Sequence, residues 1–399
     1  MNHINLNNNR ALIFTALFFF SYQFGFSQLS DLDNRCLWIV RDSVYNEKMI
    51  NSALVYAYQS GYDIVFIQVR GRGYAFYDSE IVPKHPKIDP DFDPLQYAVE
   101  LGHGLGIEVH AWMNTYILWS SKYKPKDPNH IYNTKKDWTE ANIHGKIDSQ
   151  INLSATQSPQ WEGVYLAPTH PEVNPYLLSV YLEVANKYKV DGLHLDYIRY
   201  QDEVYGYNKY GMKTFEDIYD ISPRDIVRGI ISPRFGWTQD YVDSMHYAWD
   251  KFRKDAITDL VRNLYSELRQ PGKPIVKLSA AVKPNIIEAK SRWDQEWDKW
   301  LEENIIDFVV TMSYYKEISD FNNSIQIMKS NLSQENLGNI IIGISTFNQD
   351  AQSAADKVLL SRLNGFTGVS IFSWNSHKNN LDWFKSINDA LGKPSFNEK

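Results

Sequence analysis

The chain has 399 residues, a formal charge of −7 and one cysteine. Binding nucleic acid rests on concentrated Lys and Arg, so this balance excludes nucleic acid as a partner, and a lone thiol excludes an intrachain disulfide framework. Stability must come from a large core, and the twelve Trp and 26 Tyr that serve it also have flat faces on which sugar rings stack.

Residues 1–10 are polar with a single basic Arg10, 11–20 are almost wholly apolar, and Ser21 to Ser27 follow. This pattern predicts a signal peptide over 1–27 and export to the periplasm or the cell exterior. The apolar stretch falls short of the roughly 20 residues of a membrane span, and no later segment approaches that length, so no stable membrane insertion is expected once the leader is removed. Residues 28–399 are expected to form one enlarged domain.

From there the chain alternates strand and helix signals. Strands are predicted over 36–40, 63–70, 107–114, 190–196, 276–283, 306–314, 340–345 and 368–374. Helices are predicted over 46–60, 94–104, 171–188, 249–268 and 297–304, the third opening on a capping box, Thr169-His-Pro-Glu172. Eight strands alternating with helices fit an α/β fold of the (β/α)8 barrel type, the TIM barrel, with long insertions after strands two, three and four. A doubly wound open sheet has the same rhythm, but polar residues end most of the strands rather than clustering at one switch point, which favours the barrel.

The most informative stretch is Val190-Asp-Gly-Leu-His-Leu-Asp-Tyr-Ile-Arg-Tyr-Gln201. Side chains alternate along a strand, so His194 and Asp196 share a side. If that side is the barrel interior, Asp196 lies at the carboxyl end, where such barrels keep their chemistry. A buried carboxylate costs several kcal/mol unless paired. The same parity groups Phe66, Gln68 and Arg70, then His110, Trp112 and Asn114, then Ser279 and Lys283.

Plainer readings stand beside these. Asp196 can be a structural partner of Arg199 or Arg70, His110 and His194 can be core histidines, and Trp374 can plug the barrel as readily as stack on sugar. Arg70 and Arg72 suit an anionic group, and Lys283 is either a Schiff-base lysine or an ordinary surface or ion-paired one. Two His and an Asp can hold a metal, but their placement on two strands without HxH or HExxH spacing argues against it. No cofactor is expected.

Gln68-Val-Arg70, Ala75-Phe-Tyr-Asp-Ser-Glu80, Phe92-Asp-Pro-Leu95, His110-Ala-Trp-Met-Asn114, His170-Pro-Glu172 and Asp191-Gly-Leu-His-Leu-Asp-Tyr-Ile-Arg-Tyr200 together resemble, in order and spacing, the glycosyl hydrolase-like 10 family of exported bacterial proteins. The resemblance runs from about Cys36 to Gly392. It implies a TIM-barrel glycosidase-like domain, some members of the family acting on the glycan strands of peptidoglycan. It also implies site residues at Gln68, Arg70, His110, Trp112, Asn114, His194, Asp196, Arg199 and Tyr314. The chain departs from the family after the fifth strand, where Ala280-Ala-Val-Lys-Pro284 stands in place of a Ser-Pro-Phe-Gly-like segment.

The resulting expectation is an exported glycoside hydrolase acting on a polysaccharide or oligosaccharide. Asp196 and Glu317 are its expected carboxyl pair, with Asp202 and Glu203 as competitors of Glu317. Gln68, Arg70, His110, Trp112, Asn114, His194, Arg199, Tyr314 and Trp374 are expected to bind substrate. The alternatives are a non-catalytic glycan-binding protein on a degenerate barrel, which a cleft lacking a second carboxylate would favour, and metal-dependent deacetylation or amide hydrolysis.

Overall fold

The structure is a computed structural model and describes residues 29–155 and 161–392; the expected leader lies outside them. Eight parallel strands close into a barrel: β1 (Asn34–Ile39), β2 (Ile64–Gly71), β3 (Glu108–Asn114), β4 (Gly192–Asp196), β5 (Lys277–Val282), β6 (Phe308–Met312), β7 (Ile340–Ser345) and β8 (Gly368–Phe372). Each pairs with its sequence neighbours, and β1 pairs with both β2 and β8, which closes the sheet. The open-sheet alternative is thereby excluded.

A principal helix follows each strand: α1 (Glu47–Gln59), α2 (Pro94–Gly104), α3 (Val173–Lys187), α4 (Gln239–Leu268), α5 (Trp297–Glu302), α6 (Ile318–Asn331), α7 (Ala351–Leu363) and α8 (Lys385–Leu391). Asp93, followed by Pro94 at the first helical position, caps α2 by accepting from the backbone of Leu95 and Gln96. The predicted capping box is not formed. Glu172 makes no capping bond and instead accepts from the Trp138 indole at 2.9 Å, so α3 begins at Val173 without a side-chain cap. The helix predicted from 249 starts at Gln239, capped by Thr238. No helix among the described residues is long and apolar enough to cross a membrane.

Two apolar regions hold the barrel. One lies between sheet and helices; the other fills the lumen with Cys36, Trp38, Ile64, Phe66, Trp112, Ala281, Val310 and Ile341. The lumen is therefore a packed core, with a cleft above it at the carboxyl ends of the strands. Above it stand the insertions after β2, β3 and β4. The second is anchored by a short hairpin of Ile117–Trp119 with Val164–Tyr165.

Candidate active site

Strand register places Asn114 beside Asp196, and Trp112 beside His194. Asp196, the last residue of β4, lies on the floor of a cleft of about 360 Å³ at the carboxyl ends of the strands. Its Oδ1 accepts from the Tyr197 backbone N–H at 2.8 Å and its Oδ2 from the Trp112 indole at 3.0 Å. Both donors orient the carboxyl and favour its charged form. Burial outweighs them and raises its pKa to about 6, with the nearby Glu162 adding to the rise.

Glu162 faces the same cleft from the insertion after β3. Arg199 donates to both its oxygens at 3.0 and 2.9 Å, and Tyr165 donates its hydroxyl to it. Burial alone would raise the Glu162 pKa, but the Arg199 guanidinium and the Tyr165 hydroxyl prevail and hold it below the ordinary value. The backbone here is fixed as firmly as the side chain. Gln201 Oε1 accepts from the N–H groups of Glu162 and Gly163 at 2.7 and 3.2 Å. At Gly163 an added Cβ would meet the Trp119 carbonyl oxygen at 2.5 Å, so only glycine fits under this loop.

The remaining wall is cationic and aromatic. Gln68 accepts from Arg41 through its backbone N–H and its guanidinium, at 3.2 and 2.9 Å, and donates to Asn114 Oδ1 at 3.0 Å. Lys283, with its ammonium 4.3 Å from the Trp293 ring centroid, lines the cleft opposite. Burial and the Arg199 charge lower its pKa to about 8. Tyr314 stacks on Phe372 at 5.2 Å, and Phe347 stands edge-on to both.

Of the residues singled out by sequence, the fold brings Gln68, Trp112, Asn114, Asp196, Arg199, Lys283 and Tyr314 to this cleft. It does not bring the others. A register shift between Gln68 and Arg70 breaks the alternation on which Arg70 was assigned. Its guanidinium instead donates to the Asn114 and Thr115 carbonyls beneath the floor.

His110 and His194 are wholly buried lower in the lumen. His110 bonds Glu108 at 3.2 Å and packs on Gly192, where a Cβ would come within 2.2 Å of its ring. His194 bonds Ser279 at 2.8 Å and packs on Trp38 and Phe66. Both histidines thus sit in the barrel core and do not line the cleft. Trp374 is buried in the outer core, not in the cleft. Glu317 is exposed at the start of α6, off the cleft wall, because β6 ends at Met312 and the chain has already turned away. Asp202 pairs with Arg292 at 2.8 Å, and Glu203 is exposed.

Sequence reasoning missed Glu162, Arg41 and Tyr197. Glu162 comes from an insertion without periodicity, where parity has nothing to act on. Its one signal was Trp161-Glu-Gly163, a carboxylate flanked by an aromatic ring and a turn residue.

A closed parallel barrel with one buried and one half-buried carboxyl and an aromatic wall at the carboxyl ends of its strands has the architecture of a glycoside hydrolase barrel. The chain belongs to the glycosyl hydrolase-like 10 family, whose model matches residues 32–358. It is 30% identical to glycosyl hydrolase DigH of Escherichia coli (strain K12) over 162 residues, 39% of this chain and 35% of that protein. It is 22% identical to glycosyl hydrolase YngK of Bacillus subtilis (strain 168) over 286 residues, 64% of this chain and 46% of that protein. These matches thus span less than half the length of either relative. In fold it is similar to the PgaB (BpsB) glycoside hydrolase domain from Bordetella bronchiseptica, with a TM-score of 0.62 and 13% identity over 90% of this chain and 98% of that one.

Proposed function

We propose that the chain is an exported glycoside hydrolase that cleaves O-glycosidic bonds of a polysaccharide or oligosaccharide between Asp196 and Glu162. Glycan strands of peptidoglycan, on which some members of the family act, are the first candidate substrate. One observation carries the reading: two carboxyls face one cleft, and their surroundings push their ionisation in opposite directions. That separation is what a shared acid and base require. The second carboxylate also favours turnover over binding alone.

Asp196, which keeps its proton up to about pH 6, donates it to the glycosidic oxygen as the bond to the anomeric carbon breaks and the alcohol departs. Glu162, kept ionised by Arg199, stabilises the positive charge that builds on the sugar ring and takes the proton of the attacking water. Asn114, Arg41 and Lys283 supply hydrogen-bond donors for sugar hydroxyls, and Tyr314 and Phe372 offer stacking faces.

The test is Asp196→Asn, assayed for reducing ends released from peptidoglycan and a panel of polysaccharides with product masses read out. A positioned acid contributes about 10²–10⁴ in rate. The variant should lose that much while melting as the parent does or higher. Undiminished turnover sinks the assignment.

A further inference from the structure

Away from the cleft, the insertions after β3 and β4 enclose a second cavity of about 580 Å³, whose wall carries Lys124, Lys136, Lys209 and Arg224 against a single acid, Asp137. A local excess of positive charge runs against a chain of net charge −7. None of the four cations forms an ion pair among the described residues, and Arg224 Nε is buried there without a hydrogen-bond partner. A partnerless buried guanidinium nitrogen is costly and calls for an acceptor. The helix Lys209–Tyr219 begins on the same wall, capped by Asn208, and adds the positive end of its dipole.

We infer that this cavity binds the carboxylate of an acidic sugar unit; the inference rests on the proposed glycan substrate. Its volume falls within the roughly 300–1,000 Å³ of sites for whole organic ligands, well beyond a bare oxyanion. Thr139, Ser149 and Asn208 brace this wall from beneath, their hydroxyl and amide groups bonded to the Lys136, Asp137 and Thr139 carbonyls, which leaves the cations as its outward polar groups. The cavity is also near the cleft. Ser120 lines the cleft and Lys124 the cavity, and four residues of chain span at most about 14 Å. One glycan can therefore occupy both, its acidic unit held in the cavity while a neighbouring linkage lies at Asp196.

The experiment is calorimetric titration of the full chain with trigalacturonate, its methyl ester and inorganic phosphate at low and high salt. The free acid should bind at least tenfold more tightly than the ester, and this preference should shrink as salt screens it. Arg224→Gln and Lys136→Gln should each weaken the acid severalfold and leave the ester unchanged. Lys136 is exposed, so its variant serves even if Arg224→Gln misfolds. The preference for acid over ester should persist in the Asp196→Asn chain, whatever its absolute affinity, which separates failure of this site from failure of the catalytic assignment. Equal affinity for acid and ester, phosphate binding without saccharide binding, or indifference to both cation variants each overturns the inference.

Discussion

Low in the barrel lumen, His110 and His194 are fully buried and bonded to Glu108 and Ser279. Two residues further along β4, Asp196 is almost as deeply buried but opens on a cleft, and Glu162 meets it there from a loop. Burial drives His194 well below its ordinary pKa, so its ring is neutral packing. The same force acting on Asp196, opposed by two N–H donors and the Arg199 charge, leaves it titrating near 6. Polar residues inside a barrel are thus not a site by themselves. What separates the layers is whether the group's free face meets a cleft or a neighbouring side chain.

The comparison is sharpest at Glu162. Glu162→Gln should cut turnover by about 10²–10⁴ and also cost stability, since an uncompensated buried cation is worth about 3–5 kcal/mol; kcat on the folded fraction and the melting curve separate the two. His194→Ala should do the reverse. It opens a cavity among Trp38 and Phe66 and costs about 2–4 kcal/mol, with turnover per folded molecule within about a factor of three of the parent. A loss of kcat in this variant as deep as that of Asp196→Asn would erase the distinction between the layers.

pH probes both layers. Turnover should decline as pH rises through about 6, where Asp196 loses its proton; an alkaline limb that survives in Glu162→Gln at the same pH would show that Glu162 does not couple to it. The insertions hold two further buried acids, Glu140 and Asp148, each raised to about 8 chiefly by burial. A pKa raised on folding contributes stability that is complete below the unfolded value near 4 and is lost as pH climbs through the folded one. The melting temperature should therefore fall between about pH 4 and 8, and Glu140→Gln, which keeps an acceptor for the Ala141 and Gly206 N–H groups, should flatten that fall. The smallest effect belongs to Glu317→Gln: at an exposed helix start it should change stability by less than about 0.5 kcal/mol and leave turnover intact.

Much of the barrel was legible because hydrophobic runs of strand length recur between helical patterns; β7 matches its predicted bounds, and the other strands fall within a few residues of theirs. Asp196 was legible because a carboxylate ending an apolar run is physically expensive. Arg70 was misplaced by a bulge that alternation cannot foresee, and Glu317 because nearness to a strand's carboxyl end does not say which way the following turn carries a side chain. Trp374 follows β8 closely, yet the chain turns it into the core behind the sheet.

By itself the sequence determined the eight strands and five of the eight principal helices, the inward side of a strand up to its first bulge, and that one inward carboxylate had to be accommodated, since these follow from local periodicity and the cost of burying charge. Only the tertiary structure decided how high in the lumen each polar group sits and which distant loop brings a second carboxylate to it. Period-two alternation fixes a side and carries no depth, and a loop without period acquires its position from what it packs against.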